Sequence, residues 1–178
     1  MICPACNKGT LKPTKIVAGL PAMCCNKCGG YLLSMLSYRM WVEDNPQLIA
    51  IQQKIEELDE TAKTIICPKC QKLMSKYRIS SETQNKLDSC GNCGELWVDH
   101  GEWELLLSLG LIDKVSSILS QPWQSSVRQQ ENEAAYELRH ETIMGEDGYS
   151  KIRVFRDWAN QHPHKDVIKN YVARVENK

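Results

Sequence analysis

The feature that most constrains this chain is a cysteine grammar written twice. Cys3-Pro-Ala-Cys6 is followed after eighteen residues by Cys25-Asn-Lys-Cys28-Gly29, and Cys67-Pro-Lys-Cys70 is followed after nineteen by Cys90-Gly-Asn-Cys93-Gly94. Each half therefore reads CPxC, a gap, then CxxCG, an internal repeat with a period of roughly 64 residues. A CxxC turn sets two thiolates on one side of an ion, and a glycine after it allows the positive φ that aims amide hydrogens at the sulfurs. Two such turns complete a tetrahedral four-thiolate shell. With no position left open, the metal it holds is structural rather than catalytic.

The expected ligands are Cys3, Cys6, Cys25 and Cys28 for one ion, and Cys67, Cys70, Cys90 and Cys93 for a second. Zn2+ is the default for both, while iron uses the same four thiolates and is left open by spacing alone. In Met23-Cys24-Cys25-Asn26-Lys27-Cys28 three thiols compete for two places. The repeat decides between them, because Cys25 is the counterpart of Cys90 while Cys24 aligns with Ser89. Cys24 is then a spare, buried or weakly reactive thiol. Nine cysteines cannot close as disulfides without one left over. Metal ligation in a reducing compartment is the simpler use of them, which predicts a cytoplasmic protein.

Composition supports a chain of small metal-pinned units. Of the 178 residues 42% are apolar, but Phe occurs once and the apolar runs are short. No run approaches the ~20 apolar residues of a membrane span, and the N-terminus lacks a secretory pattern, so no membrane partner is expected. Thr14–Ala18 and Lys76–Ser80 read as edge strands between knuckles, and Leu96–Val98 as a further strand. Asp99 is expected to cap a helix with Glu102 reaching back and Gly110 ending it, while Ser34 caps Met35–Trp41 in the first half. Asn45-Pro46 opens a helix whose Leu48, Ile51, Ile55 and Leu58 stripe offers a dimer contact through 46–60. Residues 112–120 suggest a short helix ended by Pro122, followed by a polar helix from Trp123 to about Ile143 that Met144–Gly148 breaks. Ile152, Phe155 and Ala159, then Ile168, Tyr171, Val172 and Val175, mark a C-terminal helical hairpin.

The fold class expected is small α+β: two tandem four-cysteine zinc ribbons, each followed by a short helix, and a C-terminal helical region. The boundaries run 1–43 for the first ribbon, 44–64 for a helical linker, 65–110 for the second ribbon and 111–178 for the helical region. CPKC followed by CGNCGELWVDHGEWELL closely resembles the bacterial and archaeal zinc-ribbon domain family named for transcription factor IIB. Residues 67–109 carry that pattern through Trp97, Asp99, Gly101, Glu102 and Glu104; residues 3–41 keep the ligands and the strand, with Leu32 where Trp97 stands and Ser34 where Asp99 stands. The resemblance implies a zinc-ribbon fold and a role in binding nucleic acid or protein. It covers about half the chain and nothing beyond Gly110.

Other conspicuous residues have plain structural uses. Trp97 and Trp103 are expected to cover a small metal core, Asp99, Glu102 and Glu104 to serve one helix start, and His162-Pro-His164 to form a surface turn. His100 is not needed where four cysteines complete a shell. No nucleophile elbow, phosphate loop or His-Glu-x-x-His motif appears, so an enzyme is not expected. The net charge of zero conceals alternation: residues 1–44, 63–98 and 149–178 carry +3, +3 and +4, while 45–62, 99–122 and 123–148 carry −3, −3 and −4. Each four-thiolate zinc contributes about −2 and weakens the basic character of its ribbon. If nucleic acid is the partner, the expected contacts are Lys12, Lys15, Lys72, Lys76, Arg78 and Lys86. Two functions stand side by side: a nucleic-acid or transcription-machinery module, and a protein adaptor whose ribbons are structural and whose C-terminal helices hold the partner. A third, redox sensing through Cys24, requires an exposed thiol of low pKa.

Overall fold

The computed structural model describes residues 1–46 and 63–174. Six strands are present, β1 (Leu11–Lys15), β2 (Pro21–Cys25), β3 (Tyr31–Ser34), β4 (Ser75–Arg78), β5 (Lys86–Ser89) and β6 (Glu95–Val98). The helices are α1 (Met35–Asp44), α2 (Glu102–Ser108), α3 (Val115–Ile118), α4 (Gln121–Met144), α5 (Glu146–Gln161) and α6 (Lys165–Val172). The chain divides into two compact units, Met1–Gln129 and Gln130–Lys178. The predicted helix after Pro46, its dimer stripe, and Val175 lie outside the described residues.

In the first unit the two halves of the repeat build one antiparallel sheet in the order β1-β2-β3-β6-β5-β4. The third strands meet at its centre, Tyr31 opposite Val98, Leu32 opposite Trp97 and Leu33 opposite Leu96. Leu32 and Trp97 are repeat mates, so this register is that of a dimer folded inside one chain, with its pseudo-twofold axis passing between them. Pairing the halves through β3 and β6 removes one edge from each three-stranded unit and leaves β1 and β4 as the outer strands.

Alternation along β3 and β6 sorts the core into two layers. Leu33, Leu96 and Val98 face Tyr38, Trp41, Trp103, Leu106, Ile112, Val115 and Ile118 in one cluster under the helices. Leu32 and Trp97 face the opposite way, into a smaller cluster containing Cys3, Cys25, Cys67, Cys90, Leu11, Met74 and Ile65. Trp97 and Trp103 are completely buried, but only Trp97 packs on the cysteine cluster as expected, Trp103 belonging to the core under the helices. The buried Tyr38 hydroxyl ties α1 to α3, donating to Ile112 O at 2.7 Å and accepting from Val115 N at 3.1 Å. Burial pushes that phenol up to about 12.

Several local expectations change. The first strand ends at Lys15, and Val17–Gly19 forms a 3-10 turn with Ala18 at φ 49, because pairing with Pro21–Cys25 requires the chain to reverse there. Ser34 caps α1 as predicted, its Oγ accepting from Leu36 N. Asp99 does not cap α2: Gly101 occupies that position with no side-chain bond, while Glu102 does reach back to Asp99 N at 2.8 Å. The short helix before Pro122 spans only Val115–Ile118, and Pro122 lies in the first turn of α4, where its missing N–H costs nothing.

The outer edge of β4 is closed by a side chain. Gln124 accepts from Arg78 N at 3.1 Å and donates to Arg78 O at 2.9 Å, the pair of bonds another strand would make. Beside it the Trp123 indole donates to Ile79 O at 3.0 Å. The opposite edge, β1, carries Pro13 between exposed Lys12 and Lys15, residues that discourage further pairing.

In the second unit α5 and α6 flank the turn at His162–His164. Ala159 is buried there and Ile168 half-buried, whereas Ile152, Val154, Trp158, Val167, Tyr171 and Val172 are exposed. Arg156 pairs with Glu137 at 2.9 Å. Among the described residues no helix is long and apolar enough to cross a membrane.

Candidate metal centres

Each half of the sheet presents four thiols at one end. All Sγ atoms of Cys3, Cys6, Cys25 and Cys28 lie within 4.8 Å of one another, and the same holds for Cys67, Cys70, Cys90 and Cys93. Cys3 to Cys28 is 3.6 Å and Cys6 to Cys25 is 3.8 Å; in the second set Cys67 to Cys93 is 3.5 Å and Cys70 to Cys90 is 3.4 Å. A tetrahedron with Zn–S bonds of about 2.3 Å has edges of about 3.8 Å, so both sets fit a four-thiolate ion closely. Two tetra-cysteine sites therefore stand ready to hold a metal, with zinc consistent with both. Among the described residues no other cluster of potential ligands forms.

The four knuckles share one backbone turn. The amide four residues after each leading cysteine donates to that cysteine's carbonyl: Asn7 to Cys3, Gly29 to Cys25, Gln71 to Cys67 and Gly94 to Cys90. All four of those residues have positive φ, at 54, 74, 59 and 69 degrees. Glycine was the sequence signal for this turn at the second knuckle of each half. At the first knuckles Asn7 and Gln71 adopt it without glycine, a more strained choice for the Gln side chain.

Protonation in the thiol clusters follows the same geometry. Backbone amides, that of Lys8 foremost, hold the Cys6 thiol down to about 6, and those around Lys72 do the same for Cys70. Burial pushes Cys3 up to about 11 and Cys93 up to about 12, and raises Cys28 and Cys67 as well. Four thiols this close cannot all ionise without a cation, so metal binding must release protons from the buried members.

Cys24 stands outside the cluster. Its Sγ points toward the carbonyls of Cys25 and Gly29 at 3.6 and 3.8 Å, and burial raises its pKa. That combination gives a poor nucleophile and removes the physical basis for redox sensing through it. His100 lies against Gly29 of the other half rather than in a ligand set: a Cβ on Gly29 would meet its Nδ1 at 2.6 Å. His162 and His164 contact each other ring to ring at 5.7 Å in their turn and join no cluster.

Comparison of the chain with protein-family models, curated proteins and solved structures returned no match.

Of the three carboxylates expected to serve the helix start, Asp99 and Glu102 form a buried network. The Trp97 indole donates to Asp99 Oδ1 at 2.7 Å, and Asn85 donates to Glu102 Oε1 at 3.4 Å while bonded to Thr83 at 2.8 Å. Glu102 is buried, which drives its carboxyl up to about 8. Glu104 is exposed. The network orients Trp97, a role no sequence pattern signalled for Asp99.

Three of the six basic candidates are exposed, and three are part-buried in the β4–β5 ladder. Lys12 and Lys15 are exposed on β1 and Lys72 in a knuckle turn, but Lys76 is bound to buried Asp88 at 2.9 Å and Arg78 donates to Gln84 at 3.0 Å. Lys86 faces Arg78 across the β4–β5 ladder and is half-buried. Lys12 and Lys15 therefore belong to one outer strand of the sheet, and Lys76, Arg78 and Lys86 to the last two strands at the other end of the strand order.

Proposed function

We propose that this chain is a non-enzymatic binding scaffold clamped by two zinc ions, and that its partner is protein. In this reading the two halves are zinc ribbons, each followed by a short helix, similar to the family named for transcription factor IIB. They fuse through β3 and β6 into one rigid platform. The metal holds the knuckles together and does no chemistry, because four thiolates leave no position for water or substrate.

The observation that carries the choice of a protein partner is that half of the basic candidates are held within the β4–β5 ladder. Nucleic-acid affinity is built from several phosphate contacts along one track, and its salt dependence scales with their number. Lys76 is engaged with Asp88, Arg78 with Gln84, and Lys86 is half-buried opposite Arg78, which leaves Lys12, Lys15 and Lys72 exposed. Exposed apolar side chains, by contrast, are frequent at the metal knuckles and along α5 and α6. Such surface is typical of protein contacts.

The test combines metal analysis with titration of labelled single- and double-stranded DNA and RNA. The zinc-loaded chain is expected to hold two zinc ions, to lose its strand signal on strong chelation, and to show no anisotropy change with any oligonucleotide at low salt. Binding that weakens with salt and disappears when Lys12, Lys15 and Lys72 are neutralised would refute the protein reading and restore the nucleic-acid one.

A further inference from the structure

The two CPxC knuckles come together around a groove of about 450 Å³. Its walls include the same three positions of each half, Ile2 and Ile66, Pro4 and Pro68, Asn7 and Gln71, and are completed by Met1, Cys3 and Thr64. Ile2 is 65% exposed and Ile66 51%, and the neighbouring Met1 and Leu73 are exposed at 55% and 69%. Each isoleucine directly precedes the turn of its leading cysteine and forms only an isolated bridge, Ile2 with Thr10 and Ile66 with Leu73. Neither side chain contributes to the buried clusters. Folding and metal binding therefore do not account for three large exposed apolar side chains, Met1, Ile2 and Ile66, displayed around one concavity.

We infer that this groove binds an extended peptide in which apolar residues are flanked by carboxylates; this deepens the protein-binding reading and rests on it. Charge selects the flanks. Residues 1–12 and 63–74 contain Lys8, Lys12, Lys63, Lys69 and Lys72 and no aspartate or glutamate. Lys69 is committed to Glu95 at 2.7 Å, and the other four are exposed. Cys3, which lines the groove, is fully buried, and exposed Lys8, Lys63 and Lys72 directly adjoin the lining residues Asn7, Thr64 and Gln71 in the chain. Asn7 and Gln71 each place a donor and an acceptor at the groove, the pair that a peptide backbone complements. The walls hold no aromatic ring and no arginine, the groups on which unpaired bases stack. A nucleic acid is therefore the poorer fit.

The experiment selects a displayed library of random peptides on the zinc-loaded full chain, with the Ile2→Asp/Ile66→Asp variant as counter-selection. Both positions are exposed, and retention of two zinc ions by the variant establishes that it folds. The enriched peptides are expected to carry apolar residues between aspartates or glutamates. The best of them, synthesised and labelled, should bind the parent chain at least tenfold more tightly than the double variant or the Lys8→Glu/Lys72→Glu variant. Absence of enrichment, enrichment of peptides without carboxylates, or equal binding to the double variant would overturn the assignment of the groove. A labelled oligonucleotide titrated in parallel separates the two levels: salt-dependent oligonucleotide binding overturns the protein-binding reading itself, whereas its absence together with failed peptide selection overturns the groove alone.

Discussion

Replacing Gly30 with alanine tests whether the two halves are joined by shape as well as by hydrogen bonds. An alanine Cβ at this position would lie 2.4 Å from Cζ2 and 3.0 Å from Cη2 of Trp97, the residue paired opposite Leu32 across the centre of the sheet. Favourable carbon contacts begin near 3.5 Å, so about 1 Å of room is missing. Trp97 is completely buried and its indole is held by Asp99 at 2.7 Å, which leaves it nowhere to move. Overpacking of this kind costs about 1–3 kcal/mol, against which alanine recovers about 0.4–1 kcal/mol by restricting the unfolded chain. The expected net loss is about 1–2 kcal/mol, or a Tm lower by a few degrees at this size. Urea denaturation followed by circular dichroism in excess zinc measures it. The same change made in a Trp97→Leu background, which restores the first half's own residue at the axis, should be neutral or slightly stabilising. Gly30→Ala without cost, or with the same cost in both backgrounds, would refute the claim that this glycine is reserved for the indole.

Cys25→Ser should leave one zinc per chain while Cys24→Ser retains both, read by metal analysis; equal loss from the two would show that the repeat alignment misassigns the ligand. Gln124→Ala should raise the exchange rate of the Arg78 amide and cost about 1–3 kcal/mol, because a strand edge loses both partners; unchanged protection would mean the edge is covered by something else. Glu102 supplies a pH dependence of definite sign. Burial raises its carboxyl from 4.5 to about 8, so between those values the folded state keeps a proton the unfolded chain has lost, and stability falls as pH rises through that window. Glu102→Gln should therefore gain stability relative to the parent from about pH 5 to about pH 8, measured by denaturant titration in excess zinc; a constant difference across that range would contradict it.

The two four-thiol clusters were legible because tetrahedral thiolate ligation imposes a local spacing, and repetition of that spacing separated Cys25, which joins its cluster, from Cys24, which does not. Ser34 at the start of α1 and the left-handed turns at Gly29 and Gly94 were legible for the same reason, since each is decided within a few residues of chain. Asp99 was misread as a cap because its short-range pattern fits one equally well. Only the folded sheet brings the Trp97 indole onto it. The basic residues were offered together as conditional contacts because sequence gives charge without position, and Lys76 finds Asp88 only across the β4–β5 ladder.

What the sequence by itself determined is the membership of the two four-thiol clusters, and most of the strands and short helices that carry them. What the tertiary structure alone decided is that the halves pair through β3 and β6 about a pseudo-twofold axis, that Gly30 receives Trp97, that Gln124 closes the β4 edge, and that the two CPxC knuckles flank one groove. The physical reason is range. A ligand knuckle is satisfied by neighbours in the chain, whereas the choice between separate ribbons and a fused pair depends on which distant strand edge and which distant side chain fit best, and no local pattern records that.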